Sequence, residues 1–193
     1  MKLTPEIAEL IGVIIGDGYI YRKNRKYQIG IVGSPITDKE YFERLKQLIL
    51  QEWGKEVKEI FRYRGLRMVF NSKEVCTFLI DELKMFHGKG KCQNTTIPLQ
   101  IYNNWNLAKN TLRGIADTDG SVFVSKKPGI EKYPSIELTT TSEKLSTQLK
   151  NLLISQGFRA NARLEKRIKI NPNALPSYKI ALYGQKNLKK WMK

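Results

Sequence analysis

Two short segments constrain this chain more than any others: LIGVIIGDG over 10–18 and LRGIADTDG over 112–120. Each is an apolar, glycine-containing run that ends in Asp-Gly. One such ending is an ordinary turn, because glycine tolerates positive φ and aspartate bonds to nearby backbone. Two with the same approach point to an internal duplication, in which one supersecondary unit is used twice.

The elements around the two segments repeat in order. In the first half Thr4 can cap a helix with Pro5 at its first position, and Ile7, Leu10, Ile11, Ile14 and Ile15 keep helical spacing. YIYRKN and YQIGIV form a hairpin turning around Asn24–Lys26. A second helix runs through TDKEYFERLKQLILQEWG, with Phe42, Leu45, Leu48 and Ile49 on one face and Gly54 at its stop. VKEIFRYR and LRMVFNS read as strands joined near Gly65, followed by a helix from about Lys73. The second half supplies the same series: NLAKNTLRGIAD as helix, GSVFVSK and SIELTTT as strands, SEKLSTQLKNLLISQG as helix, ARLEKRIKI and SYKIALYG as strands, and QKNLKKWMK as a closing helix. Leu149, Leu152 and Leu153 repeat Leu45, Leu48 and Ile49 at one offset. The expected architecture is an α+β pseudo-dimer of αββαββα units, one over 1–100 including the connector and one over 101–193, each sheet needing helices on one face. The connector FHGKGKCQNTTIPLQIYNN, with two glycines and Pro98, argues against a continuous helix and carries Lys89 and Lys91 just after Lys84.

Lys and Arg number 34 against 18 Asp and Glu, a net charge of +16 that attracts polyanions. Thermophilic lysine enrichment would raise glutamate alongside lysine, and here the acids do not keep pace. Nucleic acid is therefore the expected partner. Cys76, Cys92 and His87 make no zinc set. The N-terminal stretch lacks a secretory pattern and no apolar run approaches the roughly 18 residues of a membrane span, so the expected location is intracellular, cytoplasmic in a prokaryote, without membrane attachment.

Ala8, Gly12 and Gly16 recur on one helix face, and Asn110, Gly114 and Thr118 form the matching stripe, so the two helices can pack closely. Asp17 and Asp119 stand at the C-terminal ends of these helices, the unfavourable end of the dipole for an anion. Two carboxylates brought together there repel unless protonated or bridged by cations. Both are candidate Mg²⁺ ligands, with the carbonyls of Gly16 and Thr118 as further oxygens, although turn-forming Asp-Gly pairs remain the simpler reading of either motif alone. Asp117, whose counterpart is Ile15, reads as a structural acid.

The paired motifs and duplicated layout resemble the LAGLIDADG homing endonucleases, specifically the monomeric two-motif type. The resemblance implies a pseudo-two-fold pair of αββαββα units forming a saddle of two antiparallel sheets. That saddle lies in the DNA major groove, and both strands are cut across the minor groove. It places the final motif acids at Asp17 and Asp119 and the helix-packing glycines at Gly12 and Gly114. The missing earlier acid at Ile15 leaves the catalytic pair intact. Mg²⁺ is the implied cofactor, Mn²⁺ a substitute, and Ca²⁺ an occupant that does not support cleavage.

In the strand after each motif, Ile20, Val122 and Val124 read as core, which puts Tyr19, Tyr21 and Lys23, and Ser121, Phe123 and Ser125, on the opposite face. Arg22 has core-side parity and is expected to reach solvent at the strand end. Basic hairpins and strands add Arg25, Lys26, Arg62, Arg64 and Arg67 in the first half and Lys126, Lys127, Lys166, Arg167 and Lys169 in the second. These can clamp phosphates or read guanine, and Gln28 can read adenine. Lys91 and Lys179 are the candidates for a basic catalytic side chain; a lone His87 cannot serve two symmetric sites. The expected function is metal-dependent cleavage of double-stranded DNA at a long asymmetric site by a monomer. The same basic sheets would also suit an intron RNA maturase or another noncleaving binder, and retention of both acids favours cleavage. Without a terminal nucleophile or a His-Asn ending, an intact intein is not expected.

Overall fold

The computed structural model describes residues 1–62, 65–165 and 175–192. Helix α1 (Pro5–Ile15) starts where Thr4 Oγ accepts from the Ile7 amide at 3.1 Å, with Pro5 in the first turn. Every residue from Ile7 to Ile15 is buried. A helix apolar on one side would show a wet face, so α1 is covered all round.

Strand β1 (Gly18–Lys23) and β2 (Lys26–Gly33) form a hairpin whose two turn residues, Asn24 and Arg25, both have positive φ. Helix α2 (Lys39–Trp53) buries Phe42, Leu45, Leu48, Ile49 and Trp53, and ends at Gly54 in the left-handed conformation. Strands β3 (Lys58–Arg62) and β4 (Gly65–Asn71) follow, then α3 (Lys73–Thr77), capped by Ser72 and prolonged by a π-helical turn over Phe78–Glu82. The connector holds two short helices, α4 (Lys91–Asn94) and α5 (Leu99–Tyr102). The series then repeats as α6 (Trp105–Asp119), β5 (Gly120–Lys127), β6 (Ile130–Thr140), α7 (Glu143–Ser155), β7 (Ala160–Glu165), β8 (Ser177–Tyr183) and α8 (Gly184–Trp191). Both four-stranded sheets are antiparallel and share one order, β1-β2-β4-β3 and β5-β6-β8-β7, so the α+β duplication is present in topology as well as in sequence.

Two compact units divide the chain. The first comprises Met1–Lys91 with Ile97–Thr118, so most of α6 belongs with α1 and the first half. Its core is Ile20, Ile29, Ile31, Met68 and Phe70 on the helix-facing side of the sheet, closed by Trp53, whose ring centroid lies 5.6 Å from that of Phe70. The second comprises Cys92–Thr96 with Asp119–Lys193. Here Ser142 caps α7 through the Leu145 amide, and its hydroxyl donates to the Thr95 carbonyl at 2.8 Å. Leu149, Leu152 and Leu153 of α7 and Ile136, Leu138, Ile180 and Leu182 of the sheet form the core.

One core expectation fails in this unit. Ile20 is buried, but Val122 and Val124 are 66% and 62% exposed. Their parity is right, since Val122 lies opposite buried Ile136. The reason is position in the sheet: α7 covers β6, β7 and β8, and α8 covers β6 and β8, while β5 is the edge strand beyond them.

Candidate functional site

The close approach of α1 and α6 depends on Gly12 and Gly114. A Cβ on Gly12 would be driven into the Thr111 carbonyl oxygen, and one on Gly114 into the Glu9 carbonyl oxygen and to 2.8 Å from the Val13 amide nitrogen. These are backbone obstacles that cannot rotate away. Thr111 adds a buried hydrogen bond, its Oγ donating to the Ala8 carbonyl at 2.8 Å. The glycine that ends the first motif has a different job from the one a turn would give it. Neither Gly18 nor Gly120 has positive φ. At Gly18 a Cβ would stand 2.5 Å from Ile14 Cα, so β1 leaves the helix end too closely for any side chain.

Asp17 therefore sits in the two-residue link between α1 and β1. Its carbonyl accepts from the Val32 amide at 3.0 Å, which fixes the backbone and leaves the carboxylate exposed. Partial desolvation raises its pKa above the ordinary value, Lys91 opposes the rise, and Asp38 adds to it. The Lys91 ammonium donates to the carbonyls of Gly16 and Gly18, each at 2.7 Å. A cation thus rests on the Gly16 carbonyl at the negative end of α1, where the dipole favours it, and on the first carbonyl of β1. Asp119 is the last residue of α6 and precedes β5 directly. Thr118, before it, turns its hydroxyl inward to the Gly114 and Ile115 carbonyls at 3.0 and 3.1 Å.

Beside the helix pair lies a charged cluster that the sequence did not reveal. Glu9 is 4% exposed and is held by a two-point contact from the Arg44 guanidinium, with Arg113 at 3.8 Å. A buried carboxylate is tolerable only when paired in this way. Arg113 also approaches Asp117 at 3.9 Å. Desolvation raises the Asp117 pKa, and burial with the neighbouring Asp117 and Glu9 charges raises that of Tyr41. Asp117 thus belongs to this cluster.

The sheet faces away from the helices hold the other named residues. In the first unit Tyr19, Tyr21 and Lys23 lie opposite Gly30, Gln28 and Lys26, and Arg67 lies opposite Val32, all on one face. Arg22, on the other face, pairs with Asp81 at 2.6 Å. In the second unit Ser121 and Phe123 are exposed, and Ser125 Oγ donates to the Tyr133 carbonyl at 3.4 Å. Lys126 is exposed, and Lys127 places its ammonium 3.9 Å from the Tyr133 ring centroid. Lys179 lies 3.3 Å from both Glu137 and Glu165, and Arg163 approaches the same two acids at 3.6 and 3.3 Å. This patch is nearly charge-balanced, unlike the β1–β2 hairpin with its exposed Lys23, Arg25 and Lys26. Arg64, Lys166, Arg167 and Lys169, and the side chain of Arg62, lie outside the described residues. Among the described residues no three His, Cys, Asp or Glu side chains cluster as a metal cage.

A feature missed from sequence is the contact set of Tyr19. Its hydroxyl donates to Gln28 Oε1 at 2.9 Å, and the Arg67 guanidinium carbon lies 5.5 Å from its ring centroid. The isolated Gly30 inside a strand was the available signal, since glycine there marks close approach of another group.

Residues 106–193 match the LAGLIDADG-like domain family. Two curated relatives come from Methanocaldococcus jannaschii. A replication factor C small subunit is 29% identical over 187 residues, 97% of this chain and 9% of that protein. An uncharacterised protein is 28% identical over 143 residues, 72% of this chain and 51% of that protein. The chain thus spans about a tenth of one relative and half of the other. Among solved structures, a study of mesophilic variants of the homing endonuclease I-DmoI gives a TM-score of 0.65 at 16% identity, covering 97% of this chain and 93% of that one. The homing endonuclease I-WcaI bound to its DNA recognition sequence gives 0.64 at 18%, covering 99% and 80%. The N-terminal LAGLIDADG domain of WhiA gives 0.59 at 17%, covering 97% and 79%. I-DmoI has been solved with DNA and Mn, and with DNA and Ca. Residues 106–193 thus resemble a LAGLIDADG-like domain, and the chain as a whole has the fold seen in the homing endonucleases I-DmoI and I-WcaI.

Proposed function

We propose that this chain is a site-specific double-stranded DNA homing endonuclease that hydrolyses one phosphodiester bond in each strand of a long asymmetric target. The observation that carries the reading is the repeated placement of an acid: in each of two sheets of identical strand order, the first strand starts directly after a motif aspartate, Asp17 before β1 and Asp119 before β5. The net charge of +16 and the neighbours bound to DNA support a duplex partner.

The donor set suits a hard divalent cation, because it consists of carboxylate and carbonyl oxygens. The Lys91 ammonium on the Gly16 and Gly18 carbonyls supports a preference for positive charge beside Asp17. Asp17, Asp119 and the carbonyls of Gly16 and Thr118 are the residues that would hold Mg²⁺ or Mn²⁺. Such an ion stabilises phosphate charge and lowers the pKa of water. Lys91, beside Asp17, is the basic residue that offsets negative charge on the phosphate. Lys179, held between two glutamates, organises the second sheet face instead. In this reading the halves 1–100 and 101–193 each recognise half of the target, so a monomer suffices, acting inside a cell.

Asp17→Asn and Asp119→Asn test the assignment. A duplex selected from a randomised pool is exposed to wild type and both variants, in Mg²⁺ and in chelator, with each strand scored separately. The expected result is metal-dependent double-strand cleavage by wild type and severe loss in either variant with binding retained. Cleavage unchanged by both substitutions would remove the aspartates from the chemistry. Selective binding without cleavage by wild type would favour a noncleaving binder, and preference for structured RNA a maturase.

A further inference from the structure

The exposed face of the first sheet carries a device that a list of basic residues does not reveal. Tyr19 lies directly opposite Gly30, which in turn lies opposite Val69. The tyrosine ring rests on Gly30 so closely that a Cβ there would stand 2.5 Å from its hydroxyl oxygen and nearer still to the ring carbons. The ring therefore lies along the sheet, with its hydroxyl hydrogen given to Gln28 Oε1 at 2.9 Å. Gln28 Nε2 in turn donates to Asn71 Oδ1 at 3.5 Å. The Arg67 guanidinium stands over the ring.

Register explains why one ring can touch both side chains. Gln28 and Asn71 share one row of the sheet, Val32 and Arg67 share another, and the Gly30–Val69 row that Tyr19 occupies lies between them. A free glutamine turns its amide either way and presents donor and acceptor in either order. With Oε1 anchored by Tyr19 and one N–H by Asn71, Gln28 keeps one lone pair and one N–H in a single arrangement, the pairing that adenine N6 and N7 require. Arg67 keeps the forked donor set that guanine O6 and N7 accept. Gln28 and Asn71 also line an open cleft with Tyr21, Arg25, Lys26 and Lys73, whose cations suit the flanking phosphates.

We propose that Tyr19 is a positioning residue for base readout: seated on Gly30, it fixes Gln28 as an adenine reader and Arg67 as a guanine reader in the same half of the target. The inference rests on duplex recognition as proposed above. Arg67 and Asn71 are four residues apart on one strand and both readers converge on one ring, so the two bases lie within about four base pairs of each other.

The test is a selection from randomised duplex in Ca²⁺, comparing wild type with Tyr19→Phe and Tyr19→Leu, alongside thermal melting of each protein. Wild type should show one adenine-preferring and one guanine-preferring position at that spacing. Tyr19→Phe removes the hydroxyl and keeps the ring, so it should reduce the adenine preference by about tenfold and keep the guanine preference, with melting lowered by no more than the few degrees that one lost hydrogen bond implies. Tyr19→Leu should flatten both positions. A sequence preference in wild type that Tyr19→Phe leaves intact at every position would overturn the inference and spare the proposed function. No sequence selection by wild type would overturn both.

Discussion

Gly12→Ala should be among the most damaging single-methyl additions to the first unit. The new Cβ would enter the Thr111 carbonyl and stand 3.1 Å from Gly114 Cα, both on a neighbouring helix backbone. Relief requires α1 and α6 to part by roughly an ångström in a close-packed interior, an overpacking cost of about 3 kcal/mol. Separation also breaks the buried Thr111–Ala8 hydrogen bond, a further loss of about 1 kcal/mol. Alanine's better helix propensity returns about 1 kcal/mol, leaving a net loss of about 3 kcal/mol. For a chain of this size that corresponds to a melting temperature lowered by about 6–12 °C. Urea unfolding and thermal melting, with Thr111→Ala as the control that removes the hydrogen bond alone, measure both parts. Gly12→Ala within about 0.5 kcal/mol of wild type, or no worse than Thr111→Ala, would refute the close-packing argument.

Two further substitutions probe the buried charges. Arg44→Met leaves Glu9 buried with only the more distant Arg113 contact, and should cost about 2–3 kcal/mol in urea unfolding; a change below 0.5 kcal/mol would show that the pair adds nothing. Asp117 has a folded-state pKa raised by desolvation. The stability tied to its protonated form is therefore present below the unfolded value and lost as pH rises through the folded one. Asp117→Asn should then stabilise the protein at neutral pH and flatten that part of the pH–melting profile, whereas a lower melting temperature at pH 7 would mean that the Arg113 contact outweighs burial.

The duplicated layout was legible because apolar spacing is a local property: Leu45, Leu48 and Ile49 bury as their periodicity predicts, and so do Leu149, Leu152 and Leu153. The hairpin at Asn24 and the stop at Gly54 were legible for the same reason, since turn chemistry acts within a few residues. What escaped depends on distant partners. Alternation gave the parity of Val122 and Val124 but not their exposure, because edge position is decided by which helices arrive. Nothing local marks Glu9 as buried, because its burial depends on an arginine on another helix. An Asp-Gly ending taken alone reads most simply as a turn, whereas Gly18 is required by the nearness of Ile14. For Lys91 the sequence supplied a charge in the connector, and the fold supplied its target, the carbonyls of Gly16 and Gly18.

The tip of the β1–β2 hairpin trades turn stability for charge. Its two-residue turn holds both Asn24 and Arg25 at positive φ, a shape for which Asn-Gly is the stablest choice. Arginine there forgoes on the order of 1 kcal/mol that glycine would recover. Under the proposed function, that loss is offset by a cation held at the tip of the hairpin, where it meets the polyanion. In a lineage that no longer grips a polyanion with this tip, drift toward glycine at position 25 would carry no penalty and a small gain, so the identity of that residue across descendants would record where the grip has been abandoned.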